Sequence, residues 1–396
     1  MIDSIFIALS GMQGHQRGLN VISNNVSNMN TVGFRGSSVS FADVFSGSTQ
    51  TTLPDGQLVG QQGAGGGLDA SRTLLDLHSV DATQTGRDLD LALQGDGFFV
   101  LQDENGETFY TRAGGFDFDN DGVLIAAGQK LKVMSRNASG QLVPIELKDL
   151  QVSPSKPTTK VTFSGTLSSD SADAKIETLA VFDKQGNKHT LQVTLTKDTS
   201  QQPFIHWKVS VTEDSLEVGT GDLEFTSPVG APSNSPLQMT LALAGTDPAE
   251  FSFDFSSIQI GPFGSTNSQL AATADGLAAG TISAKTFDAK GVLKITYSNG
   301  ETADGATLVL AQISDAQGLE QLGNSLFAYK GVQAIALREA DDDLKVRAQA
   351  LEPSNVDLTQ EFSELILMQR GYQAASQVVS TANDMLQELL QMRSGR

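Results

Sequence analysis

Asp117, Asp119, Asp121 and Gly122 stand at the spacing D-x-D-x-D-G, which opens a calcium-binding loop. Such a loop closes on a bidentate glutamate at its twelfth position. Here that position is Gly128, and no helical pattern flanks the stretch. A hairpin turn is the better reading of these aspartates. Asp341, Asp342 and Asp343 form an acidic run, which reads as a solvated loop. The four histidines, His15, His78, His189 and His206, are all far apart in sequence, so no zinc-binding pair is present. The chain has no cysteine, which excludes a thiol nucleophile, a thiolate metal site and disulfides. No G-x-S-x-G elbow occurs. The glycine run at 63–67 is followed by no Lys-Ser/Thr and has no strand-to-helix context, so it is not read as a phosphate loop. The expectation is a protein that is not an enzyme, with no catalytic, cofactor-binding or metal-binding residues. A β-rich secreted enzyme or a calcium-binding adhesin is the rival, and the aspartates at 117–121 are its only foothold.

With no chemistry to position, the patterned elements carry the reading. Leu365, Met368, Tyr372, Ala375, Val379, Ala382, Leu386 and Leu389 alternate spacings of three and four residues with no proline among them. That is the a/d seam of a coiled coil, on a helix spanning about 354–392. Asp357 and Gln360 form its capping box. Residues 1–30 offer a partner helix. Ile5, Met12, Leu19 and Val26 recur every seven residues, and Ala8, His15, Ile22 and Met29 fill the intermediate seam. Ser4 is the expected N-cap. The polar face of this helix is almost free of charge, with Asp3 and Arg17 alone among amides, serines and glycines. Either neighbours cover that face in an assembly, or the Asn cluster and Gly11, Gly14 and Gly18 leave a flexible tail.

Between the helices the pattern changes. Periodicity fails over 31–72, an extended Gly/Ser-rich connector with Phe34, Phe41 and Phe45 as apolar anchors. From Asp88 onward, short apolar runs and period-two alternation read as strands. The signature Asp-x-x-Gly recurs at 103–106, 119–122, 183–186, 288–291 and 315–318. It is the chemistry of a type I turn leading into a left-handed glycine, and it predicts antiparallel β structure throughout the middle. Pro144, Pro154 and Pro157 mark a seam. Strands are expected at 161–163, 179–182, 191–195, 205–211, 237–243 and 251–260, around Trp207 as a core residue. The Gly/Ala/Ser-rich stretch 261–280 reads as a connection. Strands at 282–287, 292–297 and 307–313 then return to the first β domain.

The totals agree. A chain of 396 residues is expected to hold two to four domains. Its 39 glycines and 39% hydrophobic content suit short strands and tight turns. A net charge of −20 argues against nucleic-acid and anionic-membrane partners. No basic n-region precedes the short apolar run at 5–9, so a cleaved leader of the usual kind is not expected.

The terminal stretches resemble a known family. Ala8-Leu9-Ser10-Gly11-Met12, then Asn20 to Asn28 (NVISNNVSN), then Thr31-Val32-Gly33-Phe34-Arg35 resemble the opening signature of bacterial flagellar rod and hook proteins. Ser354-Asn355-Val356-Asp357-Leu358 and Gln369-Arg370-Gly371-Tyr372-Gln373-Ala374 are similar to the closing signature. The stretches 85–90, 95–99 and 109–114 are shared by hook and distal rod members. Ser40 to Phe45 and Val181 to Asn187, with the large insert at about 146–280, resemble the hook side. The alternative is a distal rod protein.

The resemblance implies a multidomain fold with terminal α-helices pairing as a coiled coil and two mainly antiparallel β domains, the second inserted in the first. The expected domains are 1–30 with 354–396 (helical), 31–72 (connector), 73–145 with 281–353 (first β domain) and 146–280 (second, outer β domain). It implies a structural subunit of a flexible tubular joint that transmits motor torque to the filament. Implied partners are the chain itself as a helical homopolymer, rod, hook cap and hook-filament junction proteins, and the flagellar type III export apparatus. The implied location is the flagellum outside the cell, reached without a cleaved leader. The expected self-assembly seam is Ile5, Met12, Leu19, Ile22, Val26, Met29, Leu365, Met368, Tyr372, Val379, Leu386 and Leu389.

Overall fold

The computed structural model describes residues 2–45, 50–52, 58–60, 65–137, 139–168, 171–198, 205–226, 231–260, 268–313, 315 and 318–394. Parts of the glycine run at 63–67 and of the connection at 261–280 lie outside them. The chain divides into two units. One is Met1–Lys148 with Lys285–Lys294 and Asp304–Arg396; the other is Asp149–Ala284 with Ile295–Ala303. Residues 281–284 and 295–303, expected with the first β domain, cluster with the second unit.

The first unit holds two helices, α1 (Ile2–Ser27) and α2 (Leu358–Ser394). Ser4 does not cap α1, because the helix is already formed at Ile2. α1 stops three residues short of the expected end, in a turn where Asn28 N–H donates to Asn24 and Asn25 carbonyls. α2 has 37 residues, about 55 Å at ~1.5 Å per residue. Asp357 does cap it: its Oδ1 accepts from Thr359 N–H at 2.7 Å. The reciprocal half of a capping box is replaced, since Gln360 turns to Glu364 instead, at 3.1 Å.

The stretch 31–72 is more ordered than a connector. Ser37–Phe45 and Gly65–Leu75 pair antiparallel, from Ser37 opposite Leu75 to Phe45 opposite Gly65, with two register shifts. Serine, glycine and threonine give this ribbon no alternating apolar face, so periodicity could not reveal it. It is steadied by α1: Ser10 Oγ accepts from Leu68 N–H at 2.9 Å. Phe34 is buried as an anchor, and Phe41, 37% exposed, packs its ring 5.8 Å from that of His15. The Phe45 side chain lies outside the described ones.

Behind the helices is a ten-stranded antiparallel sheet. Its main path runs Leu319–Gly323, Leu326–Tyr329, Thr108–Thr111, Phe98–Gln102, Lys132–Arg136, Leu124–Ala126, Phe116–Phe118. Phe98, Val100, Tyr110, Met134, Val309 and Phe327 form a core on it. The strand Leu91–Gln94 pairs with Lys345–Ala348, and Thr83–Gln84 pairs with Ala350–Leu351. These two ladders hold the chain just ahead of α2.

Two four-stranded sheets lie wholly in the second unit. One is the meander Asp173–Phe182, Lys188–Asp198, Ile205–Glu213, Leu216–Phe225. The other runs Leu237–Leu241, Ala249–Ile260, Lys160–Leu167, Gln269–Ala274. Phe163, Trp207, Phe253, Phe255 and their neighbours form one core with side chains from both sheets, as in a β-sandwich. Trp207 is a core residue, as expected. The pair Lys160–Leu167 and Ala249–Ile260 is parallel, an exception to the antiparallel rule. Leu216–Phe225 was not expected, because Gly219 and Gly221 interrupt its pattern. They are there for space: a Cβ at either would lie within 2.5 Å of a Leu241 or Leu237 methyl.

Four of the Asp-x-x-Gly stretches, at 103–106, 119–122, 183–186 and 288–291, turn as expected, each with the glycine N–H donating to the aspartate carbonyl and the glycine at positive φ; Gly318 N–H also donates to the Asp315 carbonyl, but residues between them lie outside the described ones. In those four the aspartate Oδ1 also accepts from the N–H groups two and four residues on. Asn137 makes the same turn, its Oδ1 accepting from Ser139 and Gln141. A search for aspartate alone passes over it.

Candidate functional site

The aspartates at 117–121 sit in a hairpin turn. Asp119 Oδ1 is committed to the N–H groups of Asp121 at 3.0 Å and Val123 at 2.8 Å. Among the described residues no group of three acidic or histidine side chains is placed to hold a metal ion. The remaining candidate is the terminal helix pair and the polar junction at its base, both in the first unit.

α1 and α2 lie side by side, antiparallel. The touching pairs are Gly11 with Ala375, His15 with Gly371, Gly18 with Met368, and Asn25 with Glu361. Small residues set how closely the axes approach. A Cβ at Gly18 would stand 2.9 Å from Met368 Sδ, and one at Gly371 would stand 2.4 Å from the His15 ring. Gly14 faces the ribbon rather than α2, with Leu68 Cδ2 at 2.6 Å from where its Cβ would be. In sequence these glycines look like helix breakers. In the fold they are the contact surface.

The expected seam divides accordingly. On α2, Leu365, Met368, Tyr372, Val379 and Leu386 are half-buried along the inward side, and Ala382 is buried; Leu389 is 48% exposed and lies off it. On α1, Ile22 is buried, together with Ala8; Ile5, Met12, Leu19, Val26 and Met29 are half-buried. The row of α1 that touches α2 runs through Gly11, His15, Gly18 and Asn25. An apolar template misses it because only small and polar residues mark it.

Several large apolar side chains face away from the pair. Phe6 on α1 and Phe362, Ile366, Leu367, Leu390 and Met392 on α2 are more than half exposed or close to it. A groove of about 510 Å³ runs between the helices, lined by Ile7, Ala8, Gly11, Gly371, Ala375 and Val378 among others.

At the base, Asn25 is 2% exposed. Its Nδ2 donates to the Ser37 carbonyl at 2.7 Å and to Glu361 Oε1 at 2.8 Å, and its Oδ1 accepts from Ser37 N–H at 3.1 Å. One amide therefore joins α1, the ribbon and α2. Burial raises the Glu361 carboxyl above its ordinary value, Glu364 adds to the rise, and the Asn25 donor opposes it. Nearby, Gly36 N–H donates to Asn355 Oδ1 at 2.7 Å, and Asn355 Nδ2 donates to the Asp76 carbonyl at 3.0 Å. Gly33 N–H donates to the Glu352 carbonyl at 2.8 Å. Gly33 has φ +66°, and a Cβ there would lie 2.3 Å from Ala113 N, so a side chain is excluded on both grounds. The two signature stretches, 31–35 and 354–358, thus meet. Asn25, Glu352 and Asn355 were not singled out as site residues; the signatures contained Asn25 and Asn355, but lone polar residues carry no pattern that assigns them a contact.

Four family profiles match along the chain. "Flagella basal body rod protein" matches 5–35, and "Flagellar hook protein FlgE/F/G D1 domain" matches 92–168. "Flagellar basal body protein FlaE D2 domain" matches 166–325, and "Flagellar basal body rod FlgEFG protein C-terminal" matches 347–392. The chain is similar to the flagellar hook protein FlgE of Treponema pallidum, 29% identical over 99% of this chain and 100% of that one. It is also 29% identical to the hook protein FlgE of Escherichia coli, over 98% and 99%. The flagellar basal-body rod protein FlgG of Bacillus subtilis is 26% identical over 99% and 100%.

Proposed function

This chain belongs to the family of flagellar hook and rod proteins, and on that footing we propose that it is the hook subunit, polymerising into the flexible tube that carries torque to the filament. Likeness to hook proteins at 29% identity, against 26% for the rod protein FlgG, supports hook over distal rod. The family is a structural one.

The observation that carries the assembly reading is the apolar surface left on the helix pair. Each such side chain gains roughly 1.5–3 kcal/mol when taken from water. Leu367 and Leu390 are 65% and 64% exposed on one helix, with Phe362 and Ile366 near Leu367. A second copy presenting the same helices covers this surface, and a repeated heterologous contact that does not close builds a helical tube. In this reading 1–30 and 354–396 pair as a coiled coil and form the inner wall, 31–72 links them to the β structure, and 146–280 is a second β domain inserted in the first, 73–145 with 281–353. Ile5, Met12, Leu19, Ile22, Val26, Met29, Leu365, Met368, Tyr372, Val379 and Leu386 act as the wall's packing residues, with Leu389 turned to a neighbour. Rod, cap and junction proteins are then end contacts of the tube, and export by the flagellar type III apparatus delivers the subunit outside the cell. Electron microscopy of the polymerised protein tests the reading. Curved tubes are expected; short straight rods would favour the rod protein, and an absence of polymer would contradict assembly.

A further inference from the structure

The Arg35 side chain, in the turn that leaves α1, is fully buried. So are Arg112, beyond the strand Thr108–Thr111, and Glu352, six residues ahead of α2. Glu352 Oε1 accepts from Arg35 Nη2 at 2.5 Å and from Val80 N–H at 3.0 Å. Its Oε2 accepts from Arg112 Nη1 at 3.2 Å. Arg112 Nη2 donates to the Gly95 carbonyl at 2.7 Å, and its guanidinium stands 5.4 Å from the Phe98 ring centroid. One carboxylate therefore gathers four chain segments: the exit of α1, the stretch after the ribbon, the β sheet, and the approach to α2.

Within hydrogen-bonding distance the charges do not balance. Two guanidinium groups share a single carboxylate, and Arg35 Nε, Arg35 Nη1 and Arg112 Nε find no partner among the described residues. Burial lowers the Arg112 pKa to about 10; Glu352 opposes the fall, Arg35 deepens it, and the more distant Asp96 carboxylate adds to the opposition. Removing one member of a buried ionic group matters most when it strands the others. Loss of Glu352 strands two cations. Loss of either arginine leaves a matched pair.

We propose that Glu352 is a positioning residue whose negative charge clasps both terminal helices onto the β unit, and that the carboxylate is the one member of the Arg35–Glu352–Arg112 cluster the arrangement cannot lose. The cluster acts inside a single subunit, so the proposal stands independently of how subunits assemble.

Hydrogen exchange on the full-length protein tests it, read in 28–38 and 350–361 together. E352Q is expected to speed exchange in both segments by about tenfold or more, while R112M changes it by less than about threefold. E352D, which keeps the charge, falls between wild type and E352Q. R35M/E352Q, with one cation fewer to strand, is expected to lie closer to wild type than E352Q does. Trp207, the sole tryptophan and a residue of the other unit, reports whether each variant is otherwise folded. Equal effects of E352Q and R112M, or additive losses in R35M/E352Q, overturn the proposal. If E352Q alone yields no folded protein, recovery of folding in R35M/E352Q supports the clasp, and failure to recover overturns it.

Discussion

Asn25 and His189 show how single side chains set local stability in each unit. Asn25 is the donor that steadies the Glu361 carboxylate inside the helix junction. N25A should destabilise the helix pair by about 1–3 kcal/mol at neutral pH, since it leaves buried partners unsatisfied. Glu361 ionises less readily folded than its ordinary value of 4.5, so its charge opposes folding at neutral pH and ceases to do so as pH falls below that value. The deficit of N25A should therefore narrow in acid, as followed by thermal melts in far-ultraviolet circular dichroism. A deficit independent of pH would contradict the role given to Glu361. In the second unit, His189 Nδ1 lies 2.6 Å from Glu213 Oε1 and its Nε2 lies 3.4 Å from Asp183 Oδ2. Burial alone pulls the His189 pKa down, but the hydrogen bonds to Glu213 and Asp183 outweigh it and the net shift is upward. Its contribution is complete below the ordinary value of 6.5 and is lost as pH rises through the raised folded value. The two carboxyls are both lowered, Asp183 to about 2, so their contribution is lost only as pH falls below the ordinary carboxylate range. Melts of the second unit read by Trp207 should decline from pH 6.5 upward, and H189Q should flatten that decline. An unchanged alkaline slope in H189Q would count against the pairing.

At the level of elements, both helices were legible, but most of the contact face of α1 was not. The heptad spacing of Leu365 to Leu386 marked the inward side of α2, because alternate three- and four-residue steps survive any choice of partner. On α1 the touching row is Gly11, His15, Gly18 and Asn25. No hydrophobic template finds it, since close approach demands the absence of side chains. The same blindness hid Gly65–Leu75 and Leu216–Phe225, strands whose glycines make room for a neighbour. A direct consequence follows for α2. G371A places a methyl against the His15 ring, and it should weaken the helix pair by roughly 1–3 kcal/mol despite alanine's better helix propensity. Loss of helical signal at lower temperature is the expected result; a more stable helix pair would show that Gly371 is not a contact.

For the whole molecule, turn chemistry went furthest. Aspartate at the first position and glycine at the fourth marked four reversals from local hydrogen bonds alone, and with them the β character of the middle. The buried Arg35–Glu352–Arg112 cluster stayed out of sight because its members lie up to 317 residues apart and share no pattern. The central claim concerns surfaces that one subunit leaves open, Leu367 and Leu390 foremost. The chain has no cysteine, so L367C and L390C each introduce a single reporter thiol. Maleimide labelling of each variant should be rapid in the monomer and strongly suppressed after polymerisation, whereas a control at the exposed Leu216 of the second unit, L216C, should remain rapid if that hairpin tip faces outward. Equal labelling of L367C and L390C in monomer and polymer would contradict the account.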